Sequence, residues 1–443
     1  MSSDKQGFNN TIIGQIPEDW KFVKIRNVAV INESTINSSN KYEEIEYIDT
    51  SSVKEGRIIC SSKVKLSEAP TRAKRKIREN DILISTVRPN QKHYAFINKC
   101  TNNCIVSTGF AVISPKNIIP KFLYYFLTNE KYVNFLSSIA DSHTSTYPSF
   151  NPDIIENSMI PYPLISEQKA IAKILSEFDE KIELNNETNK TLEEFGKAIF
   201  KRWFIDFEFP DENGNPYRSS GGEMVFSEEF GKEIPKGWKV GKLGNYVILV
   251  KGVSYRSEEL TESENALVTL KSIDRKGNFN TDGLKEYVGK YKDEQILFSG
   301  DIVVAHTDLT QKADVLGKPA VVREVSNYQK LIASLDLVIV RPKSEYINRP
   351  FIYHLLKTNT FHNHAIGYAN GTTVLHLNQK AIPDFEFAVP SFTIIQTFGE
   401  IINQITLKLQ DNELQSEYLA QIRDSLLPKL MSGEIRVPLE ARQ

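Results

Sequence analysis

Between residues 171 and 199 the seam positions recur in alternating steps of four and three: Ile171, Leu175, Phe178, Ile182, Asn185, Asn189, Leu192, Gly196 and Ile199. The same stepping returns 227 positions later at Phe398, Ile402, Ile405, Leu409, Asn412, Ser416, Leu419, Arg423 and Leu426. A heptad seam sustained this long predicts two long helices that pack as coiled coils, each about 35 residues and about 50 Å in length. Asn185 and Asn412 fall at the same seam position. A polar seam residue costs stability but fixes register, so both are expected to act as register setters. The pattern elsewhere is different. Runs at 45–48, 81–87, 94–97 and 109–113 have strand composition and are separated by Asn, Ser and Pro turn signals. Residues 120–136 carry Phe122, Leu123, Tyr125, Phe126, Val133 and Leu136 at helical spacing, predicting one helix with a core-facing side.

The chain repeats itself. Ile16-Pro17 and Trp20 return as Ile234-Pro235 and Trp238, an offset of 218. Asp81-Ile82-Leu83-Ile84 returns as Asp301-Ile302-Val303-Val304, and Asn151 with Pro163 returns as Asn378 with Pro390. The fold class expected is α+β: two duplicated mixed α/β modules joined by two long helices that form an antiparallel coiled coil, pseudo-two-fold symmetric. The expected boundaries are 1–165 for the first module, 166–205 for its helix, 206–233 for a connector, 234–393 for the second module, 394–432 for the second helix and 433–443 for a tail. The competing arrangement has each helix packing only on its own module. The connector is rich in Pro, Gly, Asn and Ser and is expected to be exposed. The run Phe200, Trp203, Phe204, Phe207 and Phe209 is too apolar for a free linker and should dock on the protein or on a partner subunit.

Composition narrows the class. With 443 residues, 40% hydrophobic and 25% charged, the chain has the balance of an ordinary soluble protein of several domains. No apolar run approaches about 18 residues and the first ten residues are polar, which predicts a chain neither membrane-spanning nor secreted. Cys60, Cys100 and Cys104 are an odd set that fits a reducing cytoplasm. Cys100 and Cys104 lack a second Cys/His pair, so ordinary reduced cysteines are expected and no metal site. The net charge of −2 hides an uneven distribution. Arg72, Lys74, Arg75, Lys76 and Arg78 lie within seven residues, and Arg88, Lys92, His93 and Lys99 follow. Basic faces on a near-neutral protein are compatible with DNA binding.

No catalytic constellation emerges. The phosphate loop Gly-x-x-x-x-Gly-Lys-Ser/Thr, a Gly-x-Gly-x-x-Gly turn and the Asn/Asp-Pro-Pro-aromatic motif of amino-methyltransferases are all missing. Asp153, Glu167 and Lys169 fit a loose nuclease pattern, but Glu167 opens the first heptad helix, where the helix dipole favours an acid. His362 and His364 lack the i, i+4 spacing of helical metal ligands.

The duplicated Ile-Pro-x-x-Trp opening, Asp81-Ile82-Leu83-Ile84-Ser85-Thr86-Val87-Arg88-Pro89 and Ser107-Thr108-Gly109-Phe110 resemble the specificity subunit of type I restriction–modification enzymes. So do the segments 198–207 and 217–238 and the ending Arg423-Asp424-Ser425-Leu426-Leu427-Pro428-Lys429-Leu430-Met431-Ser432-Gly433-Glu434-Ile435-Arg436-Val437. The resemblance covers essentially the whole chain. It implies that the modules are target recognition domains, each reading one half of a split double-stranded DNA sequence, with the helices setting the spacer. It implies a non-catalytic subunit that assembles with two modification (methyltransferase) subunits and with restriction/translocase subunits. S-adenosylmethionine, ATP and Mg would bind those partners, and this chain would carry no cofactor. The alternatives are a two-module scaffold that binds protein through its coiled coil, and a specificity subunit serving a methyltransferase only.

Phosphate contacts are expected from Arg72, Lys74, Arg75, Lys76 and Arg78. Base reading is expected from Arg88, Asn90, Gln91, Lys92 and His93 in the first module, and from His306, Thr307, Asp308, Thr310, Gln311 and Lys312 in the second. The hydroxyl-rich loops before the helices add Thr144, Ser145, Thr146, Thr372 and Thr373, although turn chemistry explains these equally well. The copies diverge here. Thr86-Val87-Arg88 becomes His306-Thr307-Asp308, and Ser107-Thr108-Gly109 becomes Ser334-Leu335-Asp336, so an asymmetric target is expected.

Overall fold

The computed structural model describes residues 8–11, 14–37, 42–143, 147–308, 310, 313–371 and 374–438. The chain forms two compact units, Met1–Asn186 with Glu413–Gln443, and Glu187–Asn412. Each unit therefore holds one module and a portion of both long helices, which removes the arrangement in which each helix packs only on its own module.

In the first unit a four-stranded antiparallel sheet orders Tyr94–Phe96, Ile82–Ser85, Phe110–Pro115 and Ala29–Ile31. A second sheet orders Ser62–Lys65, Glu44–Ile48, Cys104–Ser107 and Ala73–Lys76, with Glu44–Ile48 and Cys104–Ser107 parallel. The central strand Ile82–Ser85 reads as an unbroken apolar run because both its faces are covered. Ile82 and Ile84 face a core with Phe122, Phe126 and Leu136, while Leu83 faces the second sheet through Ile48 and Val106. A one-residue slip would exchange these two sets. The helix expected over 120–136 is two helices, Pro120–Thr128 and Glu130–His143. Asn129 leaves the helical backbone between them, and its side-chain oxygen accepts the Lys131 amide at 3.0 Å, so it ends one helix and caps the next.

The second unit repeats the strand order of both four-stranded sheets. One sheet orders Pro319–Val321, Ile302–Ala305, Leu337–Pro342 and Val247–Lys251. The other orders Leu284–Glu286, Asn265–Val268, Lys330–Ala333 and Ile296–Leu297, with its inner pair again parallel.

The long helices run Ile165–Phe200 and Phe392–Met431. Every seam position named above is buried or half-buried, whereas Leu184, Phe195, Leu407, Leu414, Tyr418 and Ile422 beside the seam are exposed. Within the first unit the helices are antiparallel. Asn185 Nδ2 donates to Gln415 Oε1 (2.9 Å) and Ser416 Oγ (3.2 Å), while earlier on the first helix Asp179 accepts from Arg423 (2.5 Å), later on the second. The second unit shows the same direction, since Gly196, later on the first helix than Asn189, lies against Ile402, earlier on the second than Asn412. Asn412 Nδ2 donates to Asn189 Oδ1 (2.7 Å), and Asn189 Nδ2 reaches the Leu409 carbonyl (3.3 Å). Asn185 and Asn412 are both buried, and their hydrogen bonds offset the desolvation of a polar seam group.

Each module's Ile-Pro-x-x-Trp motif receives a chain segment that follows a long helix. In the second unit the aromatic run after Phe200 docks on Trp238. Phe209 stacks on it at 5.1 Å, Phe207 meets it edge-on at 5.6 Å, and Phe204 fills the gap to Phe351 and Phe398. The connector beyond is exposed but ordered: Asp211 Oδ1 accepts the Asn213 and Asn215 amides, and Met224–Ser227 pairs with Lys232–Pro235. In the first unit the C-terminal tail docks on Trp20. Arg436 lies over its ring at 5.7 Å, and the backbone turns at Gly433 (φ 71), where a Cβ would sit 2.6 Å from Pro17. Leu430 and Met431 join the same core as Ile16 and Trp20.

Candidate nucleic-acid interface

In the first unit, strand Ile82–Ser85 delivers the chain into a turn held from two sides. The Thr86 amide and hydroxyl both donate to the Gly109 carbonyl (2.9 and 3.0 Å). Val87 bridges Ser149, the Arg88 amide donates to Pro148 (2.8 Å), and the Phe150 amide returns to Thr86 (3.0 Å). These bonds bring the segment 86–92 beside 147–150, uniting two stretches that are about 60 residues apart in the chain. The turn Pro89–Gln91 is a single 3-10 turn flanked by left-handed residues, Arg88 (φ 47) and Lys92 (φ 55). Each costs about 1 kcal/mol for a residue with a Cβ, so the surroundings impose this shape. Arg88, Asn90, Gln91 and Lys92 are exposed as a result. His93 is half-buried behind them. Its Nδ1 faces the Val53 carbonyl and its Nε2 lies 3.1 Å from the Gln91 side-chain amide, so the ring braces the turn.

The cluster 72–78 lies on and beside the edge strand Ala73–Lys76. Alternation along the strand turns Ala73 and Ile77 inward and leaves Lys74 exposed. Arg75 is drawn inward too. Burial lowers its pKa, its Nε has no hydrogen-bond partner among the described residues, and an Nη reaches the Thr108 carbonyl at 3.5 Å. Lys76 lies over the Tyr42 ring at 5.6 Å. Arg72 pairs with Asp49 (2.5 Å) and Arg78 with Glu33 (2.6 Å). Both guanidinium groups are more than half exposed and their pairs are screened by solvent, which leaves them able to exchange to phosphate.

The second unit anchors the entry to its corresponding segment through the same backbone pairings. The His306 amide donates to the Asp336 carbonyl (2.7 Å), the counterpart of Thr86 on Gly109. Thr307 pairs with His376, the counterpart of Val87 with Ser149. Thr307 and Asp308 are corrections to the expected reading set, because both are buried. The Thr307 hydroxyl donates to Asp336 (2.9 Å). Asp308, 2% exposed, accepts from the amides of Thr310, Val315 and Leu316 and from the Thr310 hydroxyl. Burial pulls its pKa up, but those hydrogen bonds together hold the carboxyl below the usual value. Thr310 is likewise occupied within the turn. His306 is half-buried, and burial, aided by nearby Lys251 and His376, pushes its imidazole down. Thr144, Ser145, Thr146, Gln311, Lys312, Thr372 and Thr373 lie outside the described residues.

Tyr147, the last residue of the hydroxyl-rich loop, is 68% exposed beside Arg88, and two residues escaped the sequence reading: the exposed Lys251 and His376 beside His306. The repeat itself held the signal for His376, since it aligns with Ser149 at the offset of 227.

The nuclease reading fails on geometry. Glu167 is 3% exposed and accepts from Trp20 Nε1 (3.1 Å) and from Arg436 Nε (2.8 Å) and Nη2 (3.2 Å), while Arg436 also grips Asp19 (2.9 and 3.0 Å). Its carboxylate is committed to holding the tail on the first module. Among the described residues no three His, Cys, Asp or Glu side chains gather as metal ligands, and no helix is long and apolar enough to cross a membrane.

Residues 17–194 and 235–418 each match the family described as the type I restriction modification DNA specificity domain. The chain is 29% identical over 97% of its length to the type I restriction enzyme MjaIX specificity subunit of Methanocaldococcus jannaschii, covering 96% of that protein. It is 26% identical over 94% of its length to the HindI specificity subunit of Haemophilus influenzae, covering all of it. In fold it is similar to the type I restriction–modification S subunit of M. genitalium, with a TM-score of 0.54, 16% identity and 97% of each chain covered. Two family matches in tandem, a duplicated topology and relatives matched end to end agree: the chain belongs to the type I restriction–modification DNA specificity family.

Proposed function

We propose that this chain is the sequence-reading subunit of a type I restriction–modification complex, with each module reading one half of a bipartite, asymmetric DNA target. The observation that carries this is the paired turn. Beside strand ends anchored by the same pairings, the first module exposes Arg88, Asn90, Gln91 and Lys92, and the second exposes Lys251 and His376 around His306. A duplicated scaffold with unlike side chains is what two readers of unlike sequences require. Arg72, Lys74 and Arg78 would contact phosphate, and the long helices would set the spacer through the register fixed at Asn185 and Asn412. The chain would carry no catalysis and no cofactor. Methyl transfer and DNA cleavage, with their S-adenosylmethionine, ATP and Mg, would belong to two modification subunits and to restriction subunits, the whole working in the cytoplasm.

The test is selection from a random duplex library by the chain in complex with its modification subunits. The proposal expects a split consensus with two unlike halves, and affinity that falls steeply with salt. Salt-insensitive binding without a consensus would favour the two-module scaffold.

A further inference from the structure

In the first unit the guanidinium of Arg88 lies over the Tyr147 ring, 5.5 Å from its centroid. Both residues stand out from the module, Tyr147 being 68% exposed. The pair is held from behind. Arg88 is fixed at φ 47 and ψ 64, its amide is tied to Pro148 (2.8 Å), and Pro89 opens the 3-10 turn that follows. A residue with a Cβ persists in that backbone region only where its surroundings over-determine it, and such strain gathers at binding sites. An arginine on a flat ring also loses much of its rotamer freedom before any ligand arrives, which lowers the entropy cost of a later contact. A guanidinium over a ring can give its face to the ring. Its N–H edge is the part that matches two acceptors in one plane, and among base edges in the major groove that pattern belongs to guanine O6 and N7.

We infer that Tyr147 is a positioning residue that holds Arg88 flat for in-plane, two-point recognition of one guanine in the half-site read by the first module. The inference rests on the DNA-reading function proposed above. The second module lacks the device. By the repeat register its counterparts are Asp308, which is buried and bonded within its own turn, and Val374. The guanine read in this way therefore belongs to one half-site only.

The experiment uses the full chain in complex with its modification subunits and duplexes carrying the selected target. Each guanine is replaced in turn by 7-deazaguanine, which removes the N7 acceptor. Wild type is expected to lose roughly tenfold or more in affinity at one guanine of one half. Arg88→Ala and Tyr147→Ala should bind native and substituted duplexes alike at that position, while Tyr147→Phe, which keeps the ring, should still discriminate. Discrimination in the other half should be unchanged in every variant, and this also reports that the protein is folded. The inference is overturned if no guanine is sensitive, if Tyr147→Ala discriminates as wild type does, or if the variants weaken all duplexes equally, as a phosphate contact would. Should no split target be definable at all, the DNA-reading function itself fails and takes the pair with it.

Discussion

At Glu167 one residue admits two chemistries. Its place in a loose Asp-Glu-Lys pattern points to metal-dependent cleavage, whereas its burial among Trp20, Arg436 and the start of the first long helix points to a clasp. The structure supports the clasp, because a carboxylate already accepting from an indole N–H and a guanidinium has little left to offer a metal. Glu167→Ala should therefore cost about 2 kcal/mol, the scale of hydrogen bonds to a charged partner, read as a lowered midpoint in chemical denaturation of the first unit. Unchanged stability would contradict the clasp. Asp308 shows the limit of reading residue types alone. An acid in a polar turn looks like a base-edge acceptor, yet the amides of Val315 and Leu316, seven and eight residues on, claim its carboxylate. Nothing in local composition announces that closure.

Among the elements, the heptad helices were legible from period alone, and the central strands from short β-branched runs bounded by turn signals. A four–three step maintained over nine seam positions has one physical reading, and a run such as Ile82-Leu83-Ile84 marks a strand covered on both faces. Antiparallel pairing is an expectation from economy, and the Asp179–Arg423 and Asn185–Gln415 bonds in the first unit, with Asn189–Asn412 and the Gly196–Ile402 approach in the second, supply its direction. The break at Asn129 was not legible, since Asn is tolerated inside helices and its role as a cap depends on where the next helix must pack. The docking of the aromatic run was foreseeable from its apolarity, but its target, Trp238, was not. Phe204, 7% exposed, and Phe195, 54% exposed, sit on the same stretch of chain and separate packing from composition. Phe204→Ala should destabilise the second unit by about 3–5 kcal/mol, while Phe195→Ala stays within about 0.5 kcal/mol. Equal effects in thermal melts would contradict docking of the run on Trp238.

For the whole molecule, the two copies carry the same fold and have parted company at the turns that face outward. The family matches at 17–194 and 235–418 and the repeated strand order of both four-stranded sheets describe one scaffold used twice. Arg88 against Asp308 and Tyr147 against Val374 describe two different readers mounted on it. Which face of a module meets DNA was the least legible feature, because it depends on which loops the fold brings together. The zipper of Val87 to Ser149 and of Thr307 to His376 is made only in three dimensions. The central claim, that this chain dictates where a methyltransferase acts, is tested most directly by co-expressing it with its modification subunits and mapping methylated adenines across host DNA at single-base resolution. The account predicts one split motif with two unlike halves and a fixed gap. A stable complex that leaves no sequence-specific methylation would contradict it.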